Sequence, residues 1–211
     1  MSKDTQITTF NRFTRVSRET ITSLNKYENL LINANKNLNL VGKSTINDIW
    51  DRHFLDSAQV IDFIDKKDKS LVDIGSGAGF PGLILAILAK DRKIPLKITL
   101  VEKSLKKVKF LKQTIQQLNL NVEVLSINVI EQANKFPNDV FVTRAFKPLK
   151  IILKLMHKRT NNLKKFFVFL GKSGHEQLLQ ASKSWDIEYK QRMSVTSNDS
   201  LILEINKFKK K

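Results

Sequence analysis

Between residues 16 and 36, apolar side chains recur at Val16, Ile21, Leu24, Tyr27, Leu30, Leu31 and Ala34 with polar residues between them, the three-to-four spacing of one helical face. The stretch NKNLNLVGKST breaks that pattern with asparagines and a glycine, and Ile46, Ile49, Trp50, Phe54, Leu55 and Ala58 resume it as a second helix. Residues 1–65 are therefore expected to form a helical cap. From residue 70 the period changes. Short apolar runs, LVDI (71–74), KITLVE (97–102), VEVLSI (122–127), DVFVTR (139–144) and FFVFL (166–170), alternate with helical segments such as PGLILAILAK and SLKKVKFLKQTIQQLN. That alternation predicts βαβ units and a mostly parallel sheet. At the end, WDIEYKQRM and SLILEINKF are separated only by SVTSND, which predicts an antiparallel hairpin closing the sheet. The chain thus reads as an α/β protein, with the cap followed by one compact unit over 66–211.

Its 211 residues suit one such unit with a modest extension. There is no cysteine, which removes disulfides, thiolate nucleophiles and cysteine-based zinc sites. His53, His157 and His175 lack metal-ligand spacing, so no metal is expected. No apolar run approaches the ~18 residues of a membrane span, LILAILA being the most apolar stretch, and the expectation is a cytoplasmic protein. Charge changes the picture more. Thirty-seven Lys and Arg against twenty Asp and Glu give +17, the footprint of a chain that meets nucleic acid. The basic tail KFKKK suits either RNA or an anionic membrane surface, but no basic amphipathic anchor helix accompanies it.

The densest chemistry lies in LVDIGSGAGFPG (71–82), directly after an expected strand, where an open α/β sheet binds its ligands. The loop parses in two ways. GAGFPG matches the letters of a dinucleotide fingerprint but begins three residues after the strand, and Pro81 suits the first helical turn, leaving Gly82 inside the helix. Asp73 followed by Gly75-x-Gly77-x-Gly79 is instead the pattern of S-adenosylmethionine-dependent methyltransferases, where a carboxylate near a cationic amine is favourable and one beside a pyrophosphate is not. Glu102 closes the next strand, where an acid can bind ribose hydroxyls in either class. Two P-loop-like stretches, GKST (42–45) and GKSG (171–174), lack the earlier glycine, Asn37 and Phe166 standing in its place.

Four stretches together resemble one family, the bacterial 16S ribosomal RNA guanine-N7 methyltransferases, also called the glucose-inhibited division protein B family. They are NLNLVGKST...DRHFLDS (37–57), DIGSGAGFPGLILAI, VEKSLKKVKFLKQ and TRAFKPL (143–149). The resemblance implies a class I S-adenosylmethionine-dependent methyltransferase with a Rossmann-like sheet. The implied reaction is methylation of a guanine N7 in the 16S ribosomal RNA of the small subunit. By position, it implies cofactor contacts at Gly75 and Phe80, at Val129 and Ile130, and at Arg144; Gly77, Gly79 and Glu102 join them from the loop and strand-end reading. The chain departs from the family at 129–130, where Glu131 stands one place beyond the usual carboxylate, and at FLGK, where relatives carry Lys then Gly. Backbone amides are the expected contacts at the first departure.

Attack by a guanine N7 lone pair needs no proton removed, so no catalytic base is assigned. Arg52, His53, Lys147 and Lys172, with Arg144, are the candidate RNA contacts. His53 lies at helical spacing beside Trp50 and Phe54 and also fits a core histidine. The chain is expected to act as a monomer. Two other readings stay open on the sequence: a nicotinamide-dependent oxidoreductase, and a non-enzymatic RNA-binding protein on a methyltransferase fold.

Overall fold

The computed structural model describes residues 1–160 and 163–211. The cap begins with α1 (Lys3–Thr14), capped by the Ser2 hydroxyl, which accepts from Thr5 N–H, and ended by Arg15 in the left-handed region. α2 (Arg18–Leu38) starts on a Ser17 cap and ends at Asn39, also left-handed. The apolar spacing over 16–36 accounts for α2. It could not reveal α1, whose buried face is largely polar: Gln6 and Thr14 flank Phe10 there. Gln6 is held by hydrogen bonds to Asn47 O and Asp48 Oδ1 rather than by apolar contact.

The expected second helix is not a uniform α-helix. A 3-10 turn (Lys43–Asp48) leads into a π-helical segment (Trp50–Leu55) and a single α turn, α3 (Asp56–Ala58). Within the π segment Trp50, His53, Phe54 and Leu55 are all buried; Trp50, His53 and Phe54 keep the i, i+3, i+4 spacing of one helical face, and Leu55 is added to it.

The sheet contains β1 (Ser70–Ile74), β2 (Lys97–Glu102), β3 (Val122–Ser126), β4 (Val140–Arg144), β5 (Lys165–Leu170), β6 (Trp185–Ser194) and β7 (Ser197–Lys210). Its order is β3-β2-β1-β4-β5-β7-β6. The first five strands are parallel, and β7 runs antiparallel to both β5 and β6. The expected hairpin is present with a tighter turn. Pairing passes from Met193↔Leu201 to Ser194↔Ser197, so 198–200 bulge out of register.

The crossover helices are α4 (Gly82–Asp91), α5 (Leu105–Gln117), α6 (Leu149–Arg159) and α7 (Gly174–Ser182). α4 is buried from Gly82 to Ala89, because the sheet covers one side and the cap the other. Phe10, Leu24, Tyr27, Trp50 and Phe54 of the cap share one apolar core with Leu83, Ile84 and Leu88 of α4. A second core on the other face gathers Phe141, Phe166, Leu153 and Trp185 with α6 and α7. The strand order reverses between β1 and β4, so the loops after these two strands diverge and leave a crevice at their carboxyl ends. Among the described residues, no helix is long and apolar enough to cross a membrane, and no group of three or more His, Asp or Glu is placed to hold a metal ion.

Candidate functional site

A cavity of about 470 Å3 occupies that crevice, within the ~300–1,000 Å3 range of small-molecule sites. Four segments line it: the β1–α4 loop, the end of β2, residues 127–130 after β3 and residues 144–147 after β4, with Leu40–Gly42 of the cap at its mouth.

The loop owes its shape to positive φ at Gly75, Gly77 and Gly79. A side chain at Gly75 would drive into the Phe146 ring, and one at Gly79 would meet Leu83 and stand 2.8 Å from Tyr27 Oη. Gly77 differs, because a Cβ there meets nothing nearer than Gly75 O at 3.9 Å and would only take space at the cavity wall. Glu102 holds this loop: Oε2 accepts from Gly77 N–H at 3.0 Å and Oε1 from Ser104 N–H at 2.8 Å. Each oxygen keeps a second lone pair, so the carboxylate can still accept from a ligand hydroxyl.

Asp73 does not face the cavity, contrary to the expectation of a carboxylate beside a cofactor amine. It lies wholly buried under the loop, with Oδ2 accepting from Gly82 N–H at 3.0 Å and Oδ1 without a partner. Burial pushes its carboxyl up to about 7, with the Glu102 charge adding to the effect. Gly82 is required by this packing, since a Cβ would come within 2.7 Å of Asp73 Oδ2. Hence the amide that starts α4 is already capped from beneath, and the place where a dinucleotide fingerprint would seat a pyrophosphate is filled by protein.

Val129 is buried and Ile130 is 45% exposed, and both line the cavity. One backbone group of each is engaged within the protein: Ile130 N–H donates to Asn128 Oδ1 at 3.2 Å, and Val129 O accepts from Arg159 at 3.1 Å. Glu131 does not line the cavity. Phe80 lies in the wall, stacked on His53 with ring centroids 5.1 Å apart.

Arg144 reaches the cavity wall, but its donors point into the cap. Nε pairs with Asp56 Oδ2 at 3.1 Å, Nη1 donates to Ser57 Oγ at 3.3 Å, and Nη2 donates to Arg52 O at 2.7 Å and His53 Nδ1 at 3.0 Å. An arginine only donates, so His53 Nδ1 accepts and its hydrogen is on Nε2. Nε2 then donates to Thr45 Oγ1 at 2.9 Å, which passes its own hydrogen to Gly42 O at 2.9 Å. Burial, then the charges of Arg144 and Arg52, push His53 down to about 3, so it is neutral. The structure thus places His53 as a core link between Arg144 and the cavity mouth. Asp56 also accepts from Ser194 at 3.0 Å and Thr196 at 3.1 Å, tying the β6–β7 turn into the same network.

Of the remaining candidates, Lys147 lines the cavity and Arg52 lines a neighbouring one. Lys172 is 88% exposed, 3.7 Å from Asp199, and lines neither. Sequence reasoning missed Asn128, Phe146, Lys103 and Lys107 at the cavity. Asn128 and Lys103 had a signal in their place just past a strand end; Phe146 and Lys107 become visible only when the loops converge. It also missed Asp56 as Arg144's partner, although Asp56 lies inside DRHFLDS.

A parallel sheet reversing at β1, a terminal antiparallel strand pair, and a positive-φ glycine loop tied to an acid at the end of β2 define a class I S-adenosylmethionine-dependent methyltransferase fold. A solved TehB-like SAM-dependent methyltransferase from Corynebacterium glutamicum superposes with a TM-score of 0.53 at 14% identity, over 72% of this chain and 87% of that one. The family model for rRNA small subunit methyltransferase G, GidB, matches residues 20–204, and the chain belongs to this family. It is 40% identical to the ribosomal RNA small subunit methyltransferase G of Pelagibacter ubique (strain HTCC1062), over 93% of this chain and 92% of the relative. It is 35% identical to that of Dinoroseobacter shibae (strain DSM 16493 / NCIMB 14021 / DFL 12), over 88% and 94%.

Proposed function

We propose that the chain transfers a methyl group from S-adenosylmethionine to N7 of a guanine in 16S ribosomal RNA. The observation that carries this is the single cavity in which the glycine loop, Glu102 and Val129–Ile130 meet, in a chain of the rRNA small subunit methyltransferase G family. The residues fit the cofactor. The bare Gly77 wall leaves room for it, the free lone pairs of Glu102 suit ribose hydroxyls, and Phe80, Val129 and Ile130 offer apolar surface for an adenine. When bound, S-adenosylmethionine supplies an electrophilic methyl group on a sulfonium.

The cavity's side chains also suit an acceptor that needs no deprotonation. Glu102 is held by two backbone amides, and the Nδ1 lone pair of His53 is occupied by Arg144. No other carboxylate or imidazole lines the cavity among the described residues. Guanine N7 already carries a lone pair, so the protein's task is to hold two reactants in line, an orientation effect of ~7–11 kcal/mol. The +17 charge supports a polyanionic partner, the 16S RNA alone or within the small subunit. On this reading the cap and the methyltransferase unit work together as one cytoplasmic monomer.

Isothermal titration is expected to give S-adenosylmethionine binding and no appreciable NAD binding; the reverse result overturns the reading. Mapping N7-methylated guanines in 16S RNA with and without the gene tests the substrate. An unchanged methylation pattern would falsify the assignment.

A further inference from the structure

To join β3 to β4 the chain must pass β2 and β1, a distance of about 14 Å across the sheet. A crossover between parallel strands is usually a helix. Here residues 127–139 contain none. The segment has few hydrogen bonds of its own: Glu131 and Gln132 N–H both donate to Asn128 O, at 3.1 and 2.9 Å. One residue from another element fastens much of the rest. Arg159, at the end of α6, donates from Nη2 to Val129 O at 3.1 Å and from Nη1 to Asn134 O at 3.3 Å, and its own carbonyl accepts from Phe136 N–H at 2.9 Å. Its neighbours His157 and Lys158 are exposed, whereas Arg159 is buried and forms no ion pair among the described residues. A buried guanidinium must find acceptors for its donors, and here the crossover carbonyls supply them.

Val129 O and Ile130 N–H belong to one trans peptide unit, which points them in opposite directions. Arg159 takes the carbonyl end and Asn128 Oδ1 the amide end, at 3.2 Å, so this plane cannot turn without losing both bonds. The plane carries Val129 and Ile130, which line the first cavity. We propose that Arg159 is a positioning residue for the cofactor. From behind the cavity wall it fixes Val129 and Ile130 in the orientation that receives the adenine, and so sets the affinity for S-adenosylmethionine without taking part in the transfer. The inference rests on the S-adenosylmethionine reading above and adds to it a residue that does not itself line the cavity.

Arg159→Met keeps the apolar stem and removes the donors. It is compared with the wild-type chain by calorimetry with S-adenosylhomocysteine, by hydrogen exchange of the ligand-free protein, and by methylation of small subunits from cells lacking the modification. The dissociation constant and the KM for S-adenosylmethionine are both expected to rise ~10-fold, the loss of charged hydrogen bonds behind the wall. The amides of Ile130, Glu131 and Gln132 are expected to exchange faster, while kcat and the KM for the subunit stay within ~2-fold. A merely structural defect moves a different quantity, lowering kcat with the folded fraction and leaving KM where it was. Arg159→Lys keeps the charge and one donor group and is expected to fall between, with affinity ~3-fold weaker than wild type; it decides the matter if Arg159→Met fails to fold. Unchanged affinity in every folded variant, a fall in kcat at constant KM, or a lysine variant as weak as the methionine one overturns the proposal. A wild-type chain that does not bind S-adenosylhomocysteine fails the S-adenosylmethionine reading instead, so the two failures are distinguishable.

Discussion

Asp73 makes the stability of this protein depend on pH in a direction opposite to that of most carboxylates. Its side chain is fully buried, and burial holds its carboxyl at about 7 against an ordinary 3.8. The folded state therefore keeps a proton that the unfolded chain gives up between those two values. The residue's contribution to stability is complete below about pH 4, falls as pH rises through the window to about 7, and is level above it. The slope is about 1.4 kcal/mol per pH unit, so roughly 3 kcal/mol is lost between pH 5 and pH 8. Other carboxylates act oppositely: Lys164 beside Asp139 and Lys165 beside Asp65 hold those groups below the usual range, so they lose stability toward acid. The raw pH profile is thus a composite, and a difference measurement isolates Asp73. Asp73→Asn keeps an oxygen for Gly82 N–H but cannot ionise. Urea unfolding of both proteins at pH 5 and pH 8 is expected to show the asparagine variant gaining about 3 kcal/mol on the wild type as pH rises. A difference between the two that is the same at both pH values refutes the argument, because it means Asp73 has the same proton affinity folded and unfolded.

Three further outcomes follow from the site's construction. Gly79→Ala, at φ +104 with Leu83 and Tyr27 in the way, is expected to cost at least ~3 kcal/mol, whereas Gly77→Ala, at φ +58 with open space, is expected to cost only ~1–2 kcal/mol. Equal costs in denaturant titration would show that the loop's tightness does not lie where the contacts place it. Asp56→Ala leaves the Arg144 guanidinium without its anion and the β6–β7 turn without its acceptor, and is expected to destabilise by roughly 3 kcal/mol in thermal unfolding. An unchanged melting temperature removes the network from any structural role. Lys147→Ala is expected to lower the slope of log affinity against log salt for RNA binding by about 1, and an unaltered slope excludes a phosphate contact there.

The parts of the fold that could be read from sequence are those where one physical cause acts alone. β2, expected at 97–102, runs Lys97–Glu102, because a strand buried on both faces shows as a short apolar-rich run, here Leu96, Ile98, Leu100 and Val101 with Thr99 among them, between Pro95 and Lys103. α1 was missed because its buried face is fastened by the hydrogen bonds of Gln6, which leave no hydrophobic period. The segment from Ile46 to Ala58 reads as one helix because its apolar spacing is helical on average; the structure divides Lys43–Ala58 into 3-10, π and α windings, a local change of pitch that the average spacing does not encode. SVTSND was read as a loop from its polar letters, yet Ser194 pairs with Ser197, and only the bulge over 198–200 remains irregular.

The site shows the same division. Gly75–Gly79, Glu102 and Val129–Ile130 were each assigned to the far end of an expected strand, and a parallel sheet brings all such ends to one edge, so their convergence is a consequence of topology. Arg144 is different. It follows a strand too, but its role depends on Asp56, Ser57 and His53, which come from a cap segment about ninety positions earlier. No local pattern encodes that pairing. One guanidinium thereby joins the end of β4, the cap, the β6–β7 turn through Asp56, and the cavity mouth through His53, Thr45 and Gly42. Since every link is a directional hydrogen bond, a displacement of the cap shifts Gly42 and Arg144 together. The wall of the first cavity at Arg144 and its edge at Gly42 are therefore held by one connected set of hydrogen bonds that also docks the cap on the sheet.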